Sequence, residues 1–120
     1  MSRAAISVLV FGIYLLLNGI TLAVAPNLML ATLHQPPTQE PWLHVFGAVV
    51  FVLALYYIQA ARQEVVAFFR FTTWGRPLVL LILAGFAVAR VVPPIMVLFG
   101  VIDTAGAIWT AVALRRSTVA

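Results

Sequence analysis

Four apolar runs constrain this chain more than anything else in it: residues 4–26, 42–61, 77–92 and 94–114. A helix needs roughly 20 residues, at 1.5 Å rise each, to cross the hydrocarbon of a bilayer. The first, second and fourth runs have that length. The third, "PLVLLILAGFAVARVV", has 16 residues. It reaches spanning length when extended back through "VVAFFRFTTWGR", as a helical extension or a short surface helix, with Pro77 tolerated at a helix start or a kink. Hydrocarbon offers no water to backbone N–H and C=O groups, so such runs must close their hydrogen bonds internally. The expected fold class is all-α: a four-transmembrane-helix bundle. It forms one integral membrane domain over residues 1–120, with helices at about 4–26, 42–62, 66–92 and 94–115.

Composition points the same way. The 120 residues are 64% hydrophobic and 8% charged, whereas a soluble domain is about a quarter charged. There is not enough polar surface to face water, so lipid is the expected solvent. The absence of cysteine excludes disulfides, thiolate metal sites and cysteine nucleophiles. All seven basic residues are arginine, giving a net charge of +4. They flank the apolar runs and form no basic stripe interleaved with aromatics, so nucleic acid is not an expected partner.

The opening "MSRAAISVLVFGIYLLLNGITLAVAP" has a signal-like build: a basic front, an apolar middle and Ala23-Val24-Ala25 as a cleavage-like triplet. Pro26 directly after the triplet opposes cleavage, and the apolar run is long for a signal, so a retained helix is expected. Pro36, Pro37 and Pro41 exclude continuous helix before the second run, while "NLMLATL" suits the membrane interface. Pro93-Pro94 leaves so short a turn that the third and fourth helices should be antiparallel neighbours. With four spans, Arg3, Arg62, Arg70, Arg76, Arg115 and Arg116 fall on one side and Arg90 on the other. The positive-inside rule then places both termini in the cytoplasm, in a multi-pass protein of the cell's inner membrane. Trp42, Trp74 and Trp109 are expected interface anchors, as are Tyr56, Tyr57 and Gln59 near the cytoplasmic end of the second run. Glu64 to Arg70 reads as a charged rim that is solvated or meets anionic headgroups.

The polar residues within the runs carry the functional question. On ideal rise, Asp103 lies roughly 13 Å and Asn18 roughly 12 Å below the outer face, at nearly one depth. A charged Asp at mid-membrane costs about 2.5–3.5 kcal/mol on insertion scales. Pairing is therefore expected: Asp103 should face the bundle interior and meet Arg90, Asn18 or both. Helical side chains lean towards their N-terminus. Arg90 then leans into the membrane and Asp103 leans to meet it, whereas Arg76 leans to the cytoplasm and snorkels. Asp103, Gly106, Ala107 and Thr110 share one stripe, and Tyr14, Asn18, Thr21 and Ala25 share another. These stripes suggest that the first and last helices pack together around the level of Asn18 and Asp103. Gly12, Gly19, Gly47, Gly85 and Gly100 add close-approach points.

Asp103 accordingly has three open readings: a buried clamp on helix register, a ligand, proton or ion site, or a contact with another subunit. Arg90 is an outer anchor or a ligand contact, and His44 a hydrogen-bonded interface residue or a ligand. A bis-histidine haem would need two buried histidines, and His34 lies in the Pro-rich region. No catalytic triad, paired carboxylates, phosphate loop or metal-ligand cluster can be assembled, so no catalytic residue, no metal and no cofactor are expected. Two functions remain. One is a non-enzymatic accessory or scaffold protein, packing laterally with a second copy or a larger membrane complex. The other is a ligand-binding or transport module, with Asn18, His44, Arg90 and Asp103 lining an outward pocket for an anionic, quinone-like or lipid-like ligand.

The stretch "GRPLVLLILAGFAVA", a Pro-bearing turn and "LFGVIDTAGAIWTAVALRR" resemble the small bacterial four-helix membrane proteins of the DoxX-like kind. The shared features are an Arg before the third helix core (Arg76) and an Asp followed by small residues in the fourth (Asp103, Gly106, Thr110). The resemblance implies the four-helix fold and an accessory role, since some such proteins are linked to respiratory or sulfur-oxidising complexes. It implies no catalytic residue.

Overall fold

The computed structural model describes residues 1–119, with side chains described through Arg116. The chain runs through α1 (Arg3–Val24), α2 (Pro26–Thr32), α3 (Trp42–Arg62) and α4 (Val66–Val88), then a 3₁₀ turn at Pro94–Met96 that leads into α5 (Val97–Val119). No strand occurs among the described residues. Four segments are long and apolar enough to cross a membrane: Arg3–Val24, Trp42–Arg62, Val66–Val88 and Pro94–Arg116.

The expected helices therefore exist, with corrections at their ends. The first stops at Val24 because Pro26, lacking an N–H, opens α2 at its first position. The stretch "NLMLATL", expected to suit the membrane interface, falls in that short helix up to Thr32, with Leu33 as its C-cap. The third extends back to Val66, so "VVAFFRFTTWGR" is helical extension, and α4 passes straight through Pro77. Its end falls at Val88 rather than 92.

Three helix ends share one device. In α2, α3 and α4 the N–H two residues past the cap reaches the carbonyl five residues back: Gln35 to Leu30, Val65 to Ala60 and Val91 to Phe86. The preceding N–H closes the inner loop, from His34 to Ala31, Glu64 to Ala61 and Arg90 to Ala87. This is the Schellman arrangement, which requires a left-handed residue and normally takes glycine. Here His34, Glu64 and Arg90 hold it at φ 57°, 54° and 61°, at a cost of about 1–2 kcal/mol each.

The chain separates into two compact units: Met1–Val8 with Ala60–Ala120, called here the terminal unit, and Leu9–Gln59, called the hairpin unit. In the hairpin unit α1 and α3 run antiparallel with their backbones in contact. A Cβ on Gly47 would fall on the backbone at Ala23 N, and one on Gly19 would lie 2.6 Å from Phe51 N. Only hydrogen fits at either place. Lower down, Phe11 packs against Tyr57, ring centroids 5.3 Å apart, and Tyr57 is 8% exposed. Tyr57 is thus core and not an interface-belt residue, although Tyr56 and Gln59 are exposed as expected.

In the terminal unit α4 and α5 are antiparallel neighbours, as the short Pro93-Pro94 turn requires. Gly100 sits against Leu80, where an added Cβ would come within 2.5 Å of its Cα. Gly85, expected as another approach point, has open space around it. Ser2 caps α1 by accepting the Ala5 N–H at 3.0 Å. Glu64, from the turn between α3 and α4, accepts the Ser2 N–H and hydroxyl at 2.6 and 2.7 Å. A capping box normally takes its acid from three residues along the same helix; this one takes it from a different turn.

Candidate functional site

The terminal unit holds the polar cluster. Arg76 is 2% exposed on α4, and Thr110 on α5 is fully buried. The expectation that Arg76 snorkels to the cytoplasm is therefore wrong. Its Nη2 donates to Thr110 Oγ1 at 2.8 Å and to Thr72 Oγ1 at 3.0 Å. Its Nε donates to Thr72 O at 3.2 Å. Two local reasons hold it there. Thr72 lies four residues back on the same helix face, within reach of a side chain that leans towards the N-terminus. The adjacent Pro77 also removes the N–H that would have bonded Thr73 O, and Arg76 adds a side-chain donor in the same turn.

The hydroxyls complete the cluster. Thr72 Oγ1 donates to Phe69 O at 2.8 Å. Thr110 and Ser7 share a hydrogen bond of 2.7 Å. Ser7 Oγ also reaches Ala4 O at 2.7 Å, and Thr110 Oγ1 reaches Gly106 O at 3.1 Å. Two hydroxyl hydrogens face three acceptors, so whichever of the pair donates across gives up its own carbonyl, Ala4 O or Gly106 O. The network ties the start of α1 to α5 and α5 to α4. The start of the first span thus meets the last span at Ser7–Thr110, whereas the expectation set their meeting at the level of Asn18 and Asp103. An arginine in mid-span costs about 2.5–3.5 kcal/mol on insertion scales. Charge-assisted hydrogen bonds return about 1.5–3 kcal/mol each in protein interiors, so three donations from Arg76 are of the size needed.

Asp103 is half-buried, on α5 in the same unit as Arg76 and Arg90. Gly100 packs against Leu80, and counting three residues along each antiparallel helix from that contact sets Asp103 at the level of Pro77, the residue after Arg76. Its stripe faces inward as expected: Ala107 and Thr110 are buried, with Asp103 and Gly106 half-buried. Its carboxylate makes no hydrogen bond to the described residues. Arg90 is exposed in the left-handed turn after α4. The helix ends two residues before it, so its side chain does not lean along a helix towards Asp103.

Asn18 and His44 belong to the hairpin unit, and each is engaged by a backbone carbonyl. Asn18 Nδ2 donates to Tyr14 O at 2.9 Å. His44 Nδ1 lies 2.6 Å from Ala23 O. A carbonyl only accepts, so Nδ1 carries the proton. The bond has a local cause: the helical donor for Ala23 O would be the Asn27 N–H, which lies beyond the break at Ala25–Pro26. His44 supplies what the broken helix lacks.

Sequence reading missed Ser7 and Thr72 and misplaced Arg76. The usable signal was Thr72 and Arg76 at four-residue spacing inside an apolar helix, with Thr110 on the neighbouring stripe. No group of three His, Cys, Asp or Glu residues gathers among the described residues. The cluster offers a fixed cation among hydroxyls with one acid nearby: an arrangement that fixes helix register and sets a positive potential within the span. Comparison with protein-family models, curated proteins and solved structures returns no match. The likeness to DoxX-like proteins thus rests on the sequence motifs alone.

Proposed function

We propose that this chain is a non-enzymatic multi-pass protein of the inner membrane, with both termini cytoplasmic, acting as an accessory or scaffold subunit that packs laterally with itself or a larger membrane complex. One observation supports this reading above others: polar side chains of the spans are spent on helix register and helix ends. Arg76 is held by Thr72 and Thr110, Asn18 by Tyr14 and His44 by Ala23. Large apolar side chains such as Leu17, Val49, Phe71 and Leu81 are turned outward, where lipid or partner helices can cover them. The loose DoxX-like resemblance agrees with an accessory role.

The test is crosslinking in native membranes, then detergent extraction and native mass spectrometry. A self-assembly or a stoichiometric membrane partner is the expected result. A strictly monomeric, partner-free protein overturns the scaffold. The alternative, a ligand-binding or transport module using Asn18, His44, Arg90 and Asp103, draws support from one fact: Asp103 is half-buried without a hydrogen bond to the described residues. A quinone, lipid or anion that copurifies and is lost on Asp103→Asn favours that alternative.

A further inference from the structure

The terminal unit contains a shallow cleft of about 140 Å³, lined by Arg3 and Ile6 of α1 and by Trp109, Val112, Ala113 and Arg116 of α5. Two like charges flank an apolar floor. Neither Arg3 nor Arg116 makes a hydrogen bond to the described residues. The chain has only three acids, and none lines the cleft. Both oxygens of Glu64, the acid nearest in the fold to the start of α1, are taken by Ser2. The positive charge at this cleft is therefore not balanced from within its lining.

We propose that this cleft binds the phosphodiester headgroup of an anionic phospholipid, held between Arg3 and Arg116, with an acyl chain laid along Ile6, Trp109 and Val112. The proposal rests on the membrane-spanning reading above and goes beyond it. Charge complementarity selects an anion: guanidinium groups present planar donor forks that match phosphate oxygens. The floor selects a lipid over a free ion. Ile6, Ile108, Trp109 and Val112 are all exposed large apolar side chains, so the cleft opens onto a surface suited to acyl chains. The indole of Trp109 has the amphipathic character favoured at headgroup level. Basic residues near an anionic membrane surface strengthen binding by about fivefold each.

Trp109 also supplies the probe. With Trp42→Phe and Trp74→Phe, it is the sole tryptophan of the chain. Brominated phosphatidylglycerol and brominated phosphatidylcholine are titrated into the detergent-solubilised protein, and quenching of Trp109 is followed. Phosphatidylglycerol should quench at a concentration at least fivefold lower. Arg3→Gln with Arg116→Gln should abolish that preference, while Arg62→Gln with Arg70→Gln, the same charge loss away from the cleft, should leave it intact. Equal quenching by the two lipids overturns the proposal, as does equal loss of preference in both double variants. Displacement of phosphatidylglycerol by millimolar inorganic phosphate also overturns it, in favour of a free-anion site. Both altered residue pairs are exposed, and an unchanged thermal transition verifies folding. Protein that requires detergent for extraction yet shows no lipid preference separates failure of this site from failure of the membrane reading.

Discussion

The two units hold their helices together by opposite means. In the hairpin unit, α1 and α3 meet backbone to backbone at Gly19 and Gly47, with no side chain between them. In the terminal unit, Ser7, Thr72, Arg76 and Thr110 bind α1, α4 and α5 by hydrogen bonds, and Gly100 lies close against Leu80. Lipid tails are as apolar as leucine, so neither pairing can rely on exclusion of water. One uses dense van der Waals contact, the other polar bonds that lipid cannot replace. The difference predicts different failures. A glycine seam fails sterically and steeply, because backbone cannot move aside. A polar network fails by degrees, as single bonds are lost and neighbours find other acceptors.

The largest effect should come from Gly47→Ala. The new Cβ would overlap the α1 backbone, and a loss of about 3 kcal/mol is expected in reversible unfolding in mixed micelles. Gly85→Ala is the contrast: with open space around it, the change should stabilise α4 by about 0.5–1 kcal/mol through helix propensity. Equal behaviour of the two glycines would sink the seam. Next comes Thr110→Val, nearly isosteric, which removes an acceptor of buried Arg76 and the partner of Ser7. A loss of about 2 kcal/mol is expected, and a change under 0.5 would show that the network is dispensable. Ser7→Ala removes one neutral bond, and about 0.6 kcal/mol is the usual worth of such a bond in a membrane protein. A double-mutant cycle with Thr110→Val should find most of that value in their coupling.

The smallest effect is at the water-facing cap. The Ser2 backbone N–H, and then its hydroxyl, hold the Glu64 carboxyl below its ordinary value of 4.5. A carboxylate whose folded value is depressed adds stability that is present above its unfolded value and lost as pH falls through the folded one. Thermal transitions of the wild type should therefore fall more steeply below pH 4.5 than those of Glu64→Gln. Parallel curves would remove this cap from the forces holding the start of α1.

Hydrophobic run length made the four spans legible, and the glycines within them named the close approaches at Gly19, Gly47 and Gly100, along with Gly85, which has open space around it. The boundaries were less so. Arg90 looked helical because "AVARVV" is apolar on both sides of it, yet the chain leaves the helix at Val88, and nothing in local propensity favours a left-handed arginine there. Arg76 was misplaced because charge was read as position relative to water. Its real partners, Thr72 and Thr110, are weak signals individually, and hydroxyl–guanidinium pairing across helices depends on a register the sequence does not print. Tyr57 was lost for a related reason: an aromatic near a span's end fits the interface or the core equally well until its neighbour, Phe11, is known.

The bare contact between α1 and α3 has an evolutionary corollary. Where two backbones touch, the bulky side chains of both helices are excluded from the joint and project elsewhere. Leu17, Val45, Phe46 and Val49 can then drift among apolar types without disturbing the pairing, whereas Gly19 and Gly47 cannot change at all. Such a hairpin can acquire new neighbours, lipid or protein, by altering its outer coat while its hinge of contact stays fixed.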